Sequence, residues 1–135
     1  MIQIYTDGGS RGNPGHAACA FLFVKDNQIV KEYSKYIGIR TNNEAEYHAI
    51  ILALENVEEK DIEIISDSEL VIKQINGQYK IKQPHLQQLR DKISILIKDK
   101  NIVFKNVKRE NPLIKRADGL VNKKLNMMDV KINKI

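Results

Sequence analysis

A chain of 135 residues, 42% hydrophobic and 29% charged, has the length and apolar content of one globular domain with a core of its own. No apolar run approaches the roughly 20 residues of a membrane span, the opening MIQIYTDG lacks the basic start and apolar stretch of a secretory leader, and a single cysteine, Cys19, excludes an internal disulfide, so a cytoplasmic protein is expected. The net charge of +5 favours a polyanionic partner.

MIQIYTD alternates as a strand, with Ile2, Ile4 and Thr6 on one face. A glycine-rich turn follows. HAACAFLFVK and QIVKEYSKYI are two β-rich runs joined by Asp26-Asn27, a two-residue hairpin signal. TNNEAEYHAIILALENVEE is the clearest helix, capped by Thr41 or Asn42. DIEIIS reads as a fourth strand, SDSELVIKQI as a short helix ending at Asn76-Gly77, and PHLQQLRDKISILIKD as a helix opened by Pro84. NIVFKNV is a fifth strand. After Asn111-Pro112 a last helix is expected from about Ile114 to Asn126, with MMDVKINKI left as a tail. The order βββαβααβα predicts an α/β fold. The first and fourth strands are each expected to end in an aspartate, Asp7 and Asp67. Ligands of such sheets bind in the crevice at the carboxyl ends of strands.

The acids sharpen this. Asp7, before Gly8-Gly9, is on its own better explained as a turn residue. Glu46 is more telling, because its helical neighbours Ala49, Ile50, Ala53 and Val57 are all apolar. A lone carboxylate at the head of a buried stripe is costly and needs a partner. Glu44 falls with His48 and Glu55 on a more polar face. Asp67 lies at a strand-to-helix junction, where Ser66 or Ser68 could cap the helix in its place. Asp118 shares a stripe with Ile114, Val121 and Leu125. Carboxylates so gathered repel one another unless cations lie between them, and all-oxygen donors select Mg²⁺ or Mn²⁺ over Zn²⁺. Two such ions suit in-line phosphoryl transfer. A basic chain makes a nucleic-acid phosphodiester the sensible substrate. The glycine-rich stretch lacks the Gly-Lys-Ser/Thr ending of a phosphate-binding loop.

The segments DGGSRGNPG, TNNEAEYHAI, SDSELVIKQINGQYK and KRENPLIKRADGLVN, in this order and spacing, resemble type 1 ribonuclease H in its compact form. The resemblance reaches about Asn126, which sets an expected ribonuclease H domain at 1–126 and a C-terminal tail at 127–135. It implies a mixed five-stranded sheet, three strands antiparallel and two parallel, flanked by helices. It also implies hydrolysis of the RNA strand of an RNA/DNA hybrid, to 5′-phosphate and 3′-hydroxyl ends, with two Mg²⁺ per site and Mn²⁺ as a substitute. The family's catalytic and metal-binding carboxylates fall on Asp7, Glu46, Asp67 and Asp118. Asn13, Asn42 and Asn43 match contacts to the RNA minor groove, Thr41 matches a DNA-phosphate contact, and the amides of Gly8 and Gly9 are placed for close approach to substrate.

The chain departs from the pattern twice. The loop KRENPLIKRAD has no histidine, so Arg109 or Glu110 is the candidate for its auxiliary role. The basic, tryptophan-bearing protrusion of many members is reduced to GQYKIKQPH, where Tyr79, Lys80 and Lys82 offer a small stacking and phosphate platform. The expected partner is an RNA/DNA hybrid, with double-stranded RNA an open second substrate and neither a membrane nor an obligate protein partner implied. The alternatives are another nuclease of the same fold and a non-catalytic hybrid-binding module.

Overall fold

A computed structural model describes residues 1–133. The elements are β1 (Ile2–Gly12), β2 (Gly15–Lys25), β3 (Gln28–Arg40), α1 (Asn42–Asn56), β4 (Asp61–Ser66), α2 (Glu69–Ile75), α3 (Pro84–Leu96), β5 (Asn101–Asn106) and α4 (Pro112–Asn133). They form one sheet in the order β3-β2-β1-β4-β5. The pairs β1–β2 and β2–β3 are antiparallel, and β1–β4 and β4–β5 are parallel. The element order and the three antiparallel and two parallel strands are as the sequence and its family resemblance lead one to expect. The β2–β3 hairpin turns through Asp26 and Asn27, both at positive φ, as a tight two-residue connection requires.

Alternation along the strands divides the core between two faces. Ile2, Ile4, Phe21, Phe23, Ile62 and Ile64 join the buried side chains of α1, α2 and α3. Their neighbours Tyr5, Leu22, Val24 and Ile65 meet Ile114 and Ala117 of α4. Ala18 and Ala20, small residues on β2, meet Val121 and Leu125 one turn further along. Helices thus cover both faces. Among the described residues no helix is long and apolar enough to cross a membrane.

Two expectations need correction. β1 does not end at Asp7: it runs on through Gly12, and Gly8, Gly9, Ser10 and Arg11 pair with Cys19, Ala18, Ala17 and His16 of β2. The glycines read as a turn because they leave strands entropically weak, but a complete ladder to β2 holds them extended. Asp7 is nevertheless at a junction, because the parallel pairing to β4 ends at Tyr5–Ile65. The last helix does not stop at Asn126 either. It crosses the expected start of the tail and continues to Asn133. Lys134 and Ile135 of that tail lie outside the described residues.

Candidate active site

Where β1 parts from β4, their next side chains turn into a cleft of about 610 Å³ beyond the carboxyl end of β4. Asp7 comes from β1 and is buried. Asp67 follows β4 directly. It is free of capping duty because Ser68 caps α2, its side chain accepting from the Val71 amide. Asn106 and the Val107 amide both donate to the Ser66 carbonyl and so tie the end of β5 beside it.

Glu46 arrives from the first turns of α1. Thr41 caps this helix in a reciprocal box with Glu44, each side chain accepting from the other's backbone amide. Those bonds hold the Glu44 carboxyl below its usual range although burial pushes it up. The helix can lean on β1 because residue 8 is glycine. A Cβ there would lie 2.2 Å from the Ala45 carbonyl oxygen. Glu46 Oε1 accepts from the Gly8 amide at 2.5 Å. That amide is therefore engaged by a protein carboxylate. Gly9 lines the cleft.

Oxygens of Asp7, Glu46 and Asp67 all lie within 4.8 Å of one another. Asp118, from α4, stands outside this tight set but within hydrogen-bonding reach of Asp7. Asn122, one turn on, donates to Asp118 at 3.3 Å. Asp7 is thus common to two groupings. Burial, reinforced by the charges of Asp67 and Asp118, pushes its carboxyl up to about 8. Burial first, and then the Asp7 charge, raises Glu46 well above its usual range, with the Gly8 amide acting against them. Asp67 is raised by burial while the Arg109 guanidinium pulls it down. None of the four makes an ion pair among the described residues. A set of crowded oxygen donors, each opposing the others' ionisation, fits a hard divalent cation.

The cleft is also lined by Asn42, Asn43 and Arg109. Asn42 Oδ1 accepts from the Ser10 amide at 2.9 Å and from the Ser10 hydroxyl at 3.1 Å. Asn13 Oδ1 accepts from the Asn42 amide at 2.9 Å. Backbone donors fix both amide orientations, so both side chains offer a ligand their NH₂ groups. Asn13 and Thr41 border the cleft without lining it. Glu110 faces a neighbouring cavity of about 480 Å³, shared with Arg109, Lys115 and Asp118. Tyr79, Lys80 and Lys82 stand apart on the α2–α3 connection, and Lys73 lies 5.0 Å from the Tyr79 ring centroid. Reading the sequence missed Ser10, Arg11, Ser68, Val121, Asn122 and Leu125 as lining residues. In the sequence Val121 and Leu125 stand only on the apolar stripe of Asp118, and Asn122 stands four residues after Asp118 on the same helix.

The family model for RNase H matches residues 1–126. The chain belongs to the RNase H family. It is 45% identical over 93 residues to ribonuclease HI of Halobacterium salinarum, a match covering 66% of this chain and 47% of the relative. The chain therefore spans about half the length of that curated relative. The solved RNase H1 of the same halophilic archaeon superposes with a TM-score of 0.88 at 39% identity, covering 93% of this chain and 97% of that one. LC11-RNase H1, solved in complex with an RNA/DNA hybrid, superposes at 0.85 with 40% identity, covering 91% and 95%. Family and fold thus agree with the type 1 resemblance in the sequence.

Proposed function

We propose that the protein is a metal-dependent endoribonuclease that hydrolyses the RNA strand of RNA/DNA hybrids, leaving 5′-phosphate and 3′-hydroxyl ends. One observation carries this reading: the oxygens of Asp7, Glu46 and Asp67 lie within 4.8 Å of one another, with Asp118 beside Asp7. In an RNase H family member, such an arrangement supports Asp7, Glu46 and Asp67 as one ligand group and Asp7 with Asp118 as another. Two Mg²⁺ ions bound there, or Mn²⁺ in their place, would activate water and stabilise the leaving oxygen.

The chain's own groups supply the rest. The Gly8 amide holds Oε1 of Glu46, which leaves Oε2 for a metal or a ribose 2′-hydroxyl. The NH₂ groups of Asn13 and Asn42 donate to acceptors in the minor groove, with Asn43 beside them, so 2′-hydroxyls and duplex shape are read rather than base sequence. The Thr41 hydroxyl, an acceptor within its own helix, keeps its proton for a DNA phosphate. Arg109, which lines the main cleft, takes the auxiliary position in preference to Glu110, which lines only the neighbouring cavity. Its guanidinium does not deprotonate, so it holds phosphate charge rather than moving a proton. Tyr79, Lys80 and Lys82 meet the DNA strand further out. A cytoplasmic location belongs to the same reading.

The test is a labelled RNA/DNA hybrid incubated with Mg²⁺ or Mn²⁺, with double-stranded RNA and double-stranded DNA alongside. Cleavage confined to ribonucleotide strands is expected. An intact hybrid in both metals would overturn the proposal. Asp7→Asn separates an enzyme from a binding module, since it should keep hybrid binding and lose hydrolysis.

A further inference from the structure

Arg11 lies four residues beyond Asp7 on β1, about 13 Å along the strand at ordinary strand rise. Its side chain lines the cleft and also grips α4. Nη1 donates to Asp129 Oδ2 at 2.5 Å, and Nη2 donates to the Asn122 carbonyl oxygen at 3.3 Å. Asn122 lines the cleft and Asp129 does not, so the carboxylate holds the guanidinium from outside the cavity. A guanidinium carries five N–H donors in a rigid fork, and these contacts leave donors unused. The charged groups lining the cleft are four carboxylates and two arginines. Arg109 acts on Asp7 and Asp67, and Arg11 is too far along the strand to serve the same phosphate. An ion pair this exposed adds little stability, and the Arg11 side chain is 37% exposed.

We propose that Arg11 binds a backbone phosphate of the nucleic-acid strand crossing the cleft, away from the phosphate being cut. Asp129 and the Asn122 carbonyl are the positioning groups that aim it. The inference rests on the hybrid-cleaving function proposed above. It brings the last turns of α4, beyond the family match at residue 126, into substrate binding through a residue on β1.

The test compares the full chain with Arg11→Ala, Arg11→Gln, Asp129→Ala and the Arg11→Ala/Asp129→Ala pair. Hybrid affinity is read by fluorescence anisotropy without Mg²⁺ over a salt series, and KM and kcat are read with Mg²⁺. Loss of one phosphate contact should flatten the slope of log Kd against log salt by ~0.7–0.9. Arg11→Ala and Arg11→Gln should show this, with a several-fold higher KM and little change in kcat. Arg11→Gln can still donate to Asp129, so it keeps the fold if Arg11→Ala does not. Asp129→Ala should weaken hybrid binding in the wild-type background and not when Arg11 is already alanine. An unchanged slope and KM with only a lower Tm would make Arg11 a strut and overturn the proposal. Tighter binding by Asp129→Ala would overturn its positioning role. A wild-type chain that binds hybrid but does not cleave it would refute the nuclease reading, while the slopes would still decide the phosphate contact.

Discussion

Beneath α1, Ile50, Ala53 and Leu54 share one buried cluster with Ile4, Phe21 and Ile64, and the buried Tyr47 hydroxyl donates to Gln74 at 2.8 Å. One residue before Tyr47, Glu46 faces Asp7 and Asp67 across a few ångströms, and the Arg109 guanidinium only partly offsets the crowding. The first region lowers the free energy of the folded chain. The second raises it, because burial and mutual repulsion both oppose ionisation there. The difference divides α1 in two: packing on one side, charge density on the other. Substitutions should therefore separate stability from activity according to the side they touch.

The sharpest division is expected at Asp7. Asp7→Asn should cut hydrolysis to below ~1% of the wild-type rate by removing the group common to both carboxylate sets. The same change should raise the metal-free protein's stability by about 1–3 kcal/mol, read by urea unfolding, because it removes an ionisable group held buried among like charges. A loss of stability instead would break the comparison. Ile50→Ala should do the reverse, costing about 2–5 kcal/mol through the cavity it leaves. Its cleavage rate well below the melting temperature should be little changed.

The pH profile tests the same contrast without mutation. Unfolded, Asp7 loses its proton near pH 3.8; folded and metal-free, it holds it up to about 8. Between these values the folded chain binds the extra proton, so stability should fall as pH rises. Mg²⁺ should flatten that slope, and urea melts with and without the ion would show whether it does. Glu32 and Glu59, lowered chiefly by hydrogen bonds from Arg116 and Lys25, act oppositely, and their stabilisation is lost on the acid side. The smallest effect is expected at the border of the two regions. Thr41→Ala should cost about 1 kcal/mol by removing the helix cap, with a modest rise in KM from the lost hydroxyl.

The sequence made legible whatever depends on local spacing. Ala49, Ile50, Ala53 and Val57 are buried, as the stripe beside Glu46 predicts, and so are Ile114, Val121 and Leu125 beside Asp118. What stayed hidden depends on partners distant along the chain. The extent of β1 depends on β2 holding the glycines in a ladder. Gly8 is constrained by Ala45, which no neighbouring residue reveals. Arg11 and Asp129 are 118 positions apart, and nothing local to either announces the other.

The parallel pairing of β1 with β4 has a consequence for synthesis. Asp7 and Asp67 meet only when two distant strands lie side by side, and Asp118 joins them only when α4 docks on the opposite face. A ribosome extending this chain therefore carries an incomplete carboxylate quartet until the final helix has cleared the exit tunnel. Chains released before Asp118 should therefore cut no hybrid.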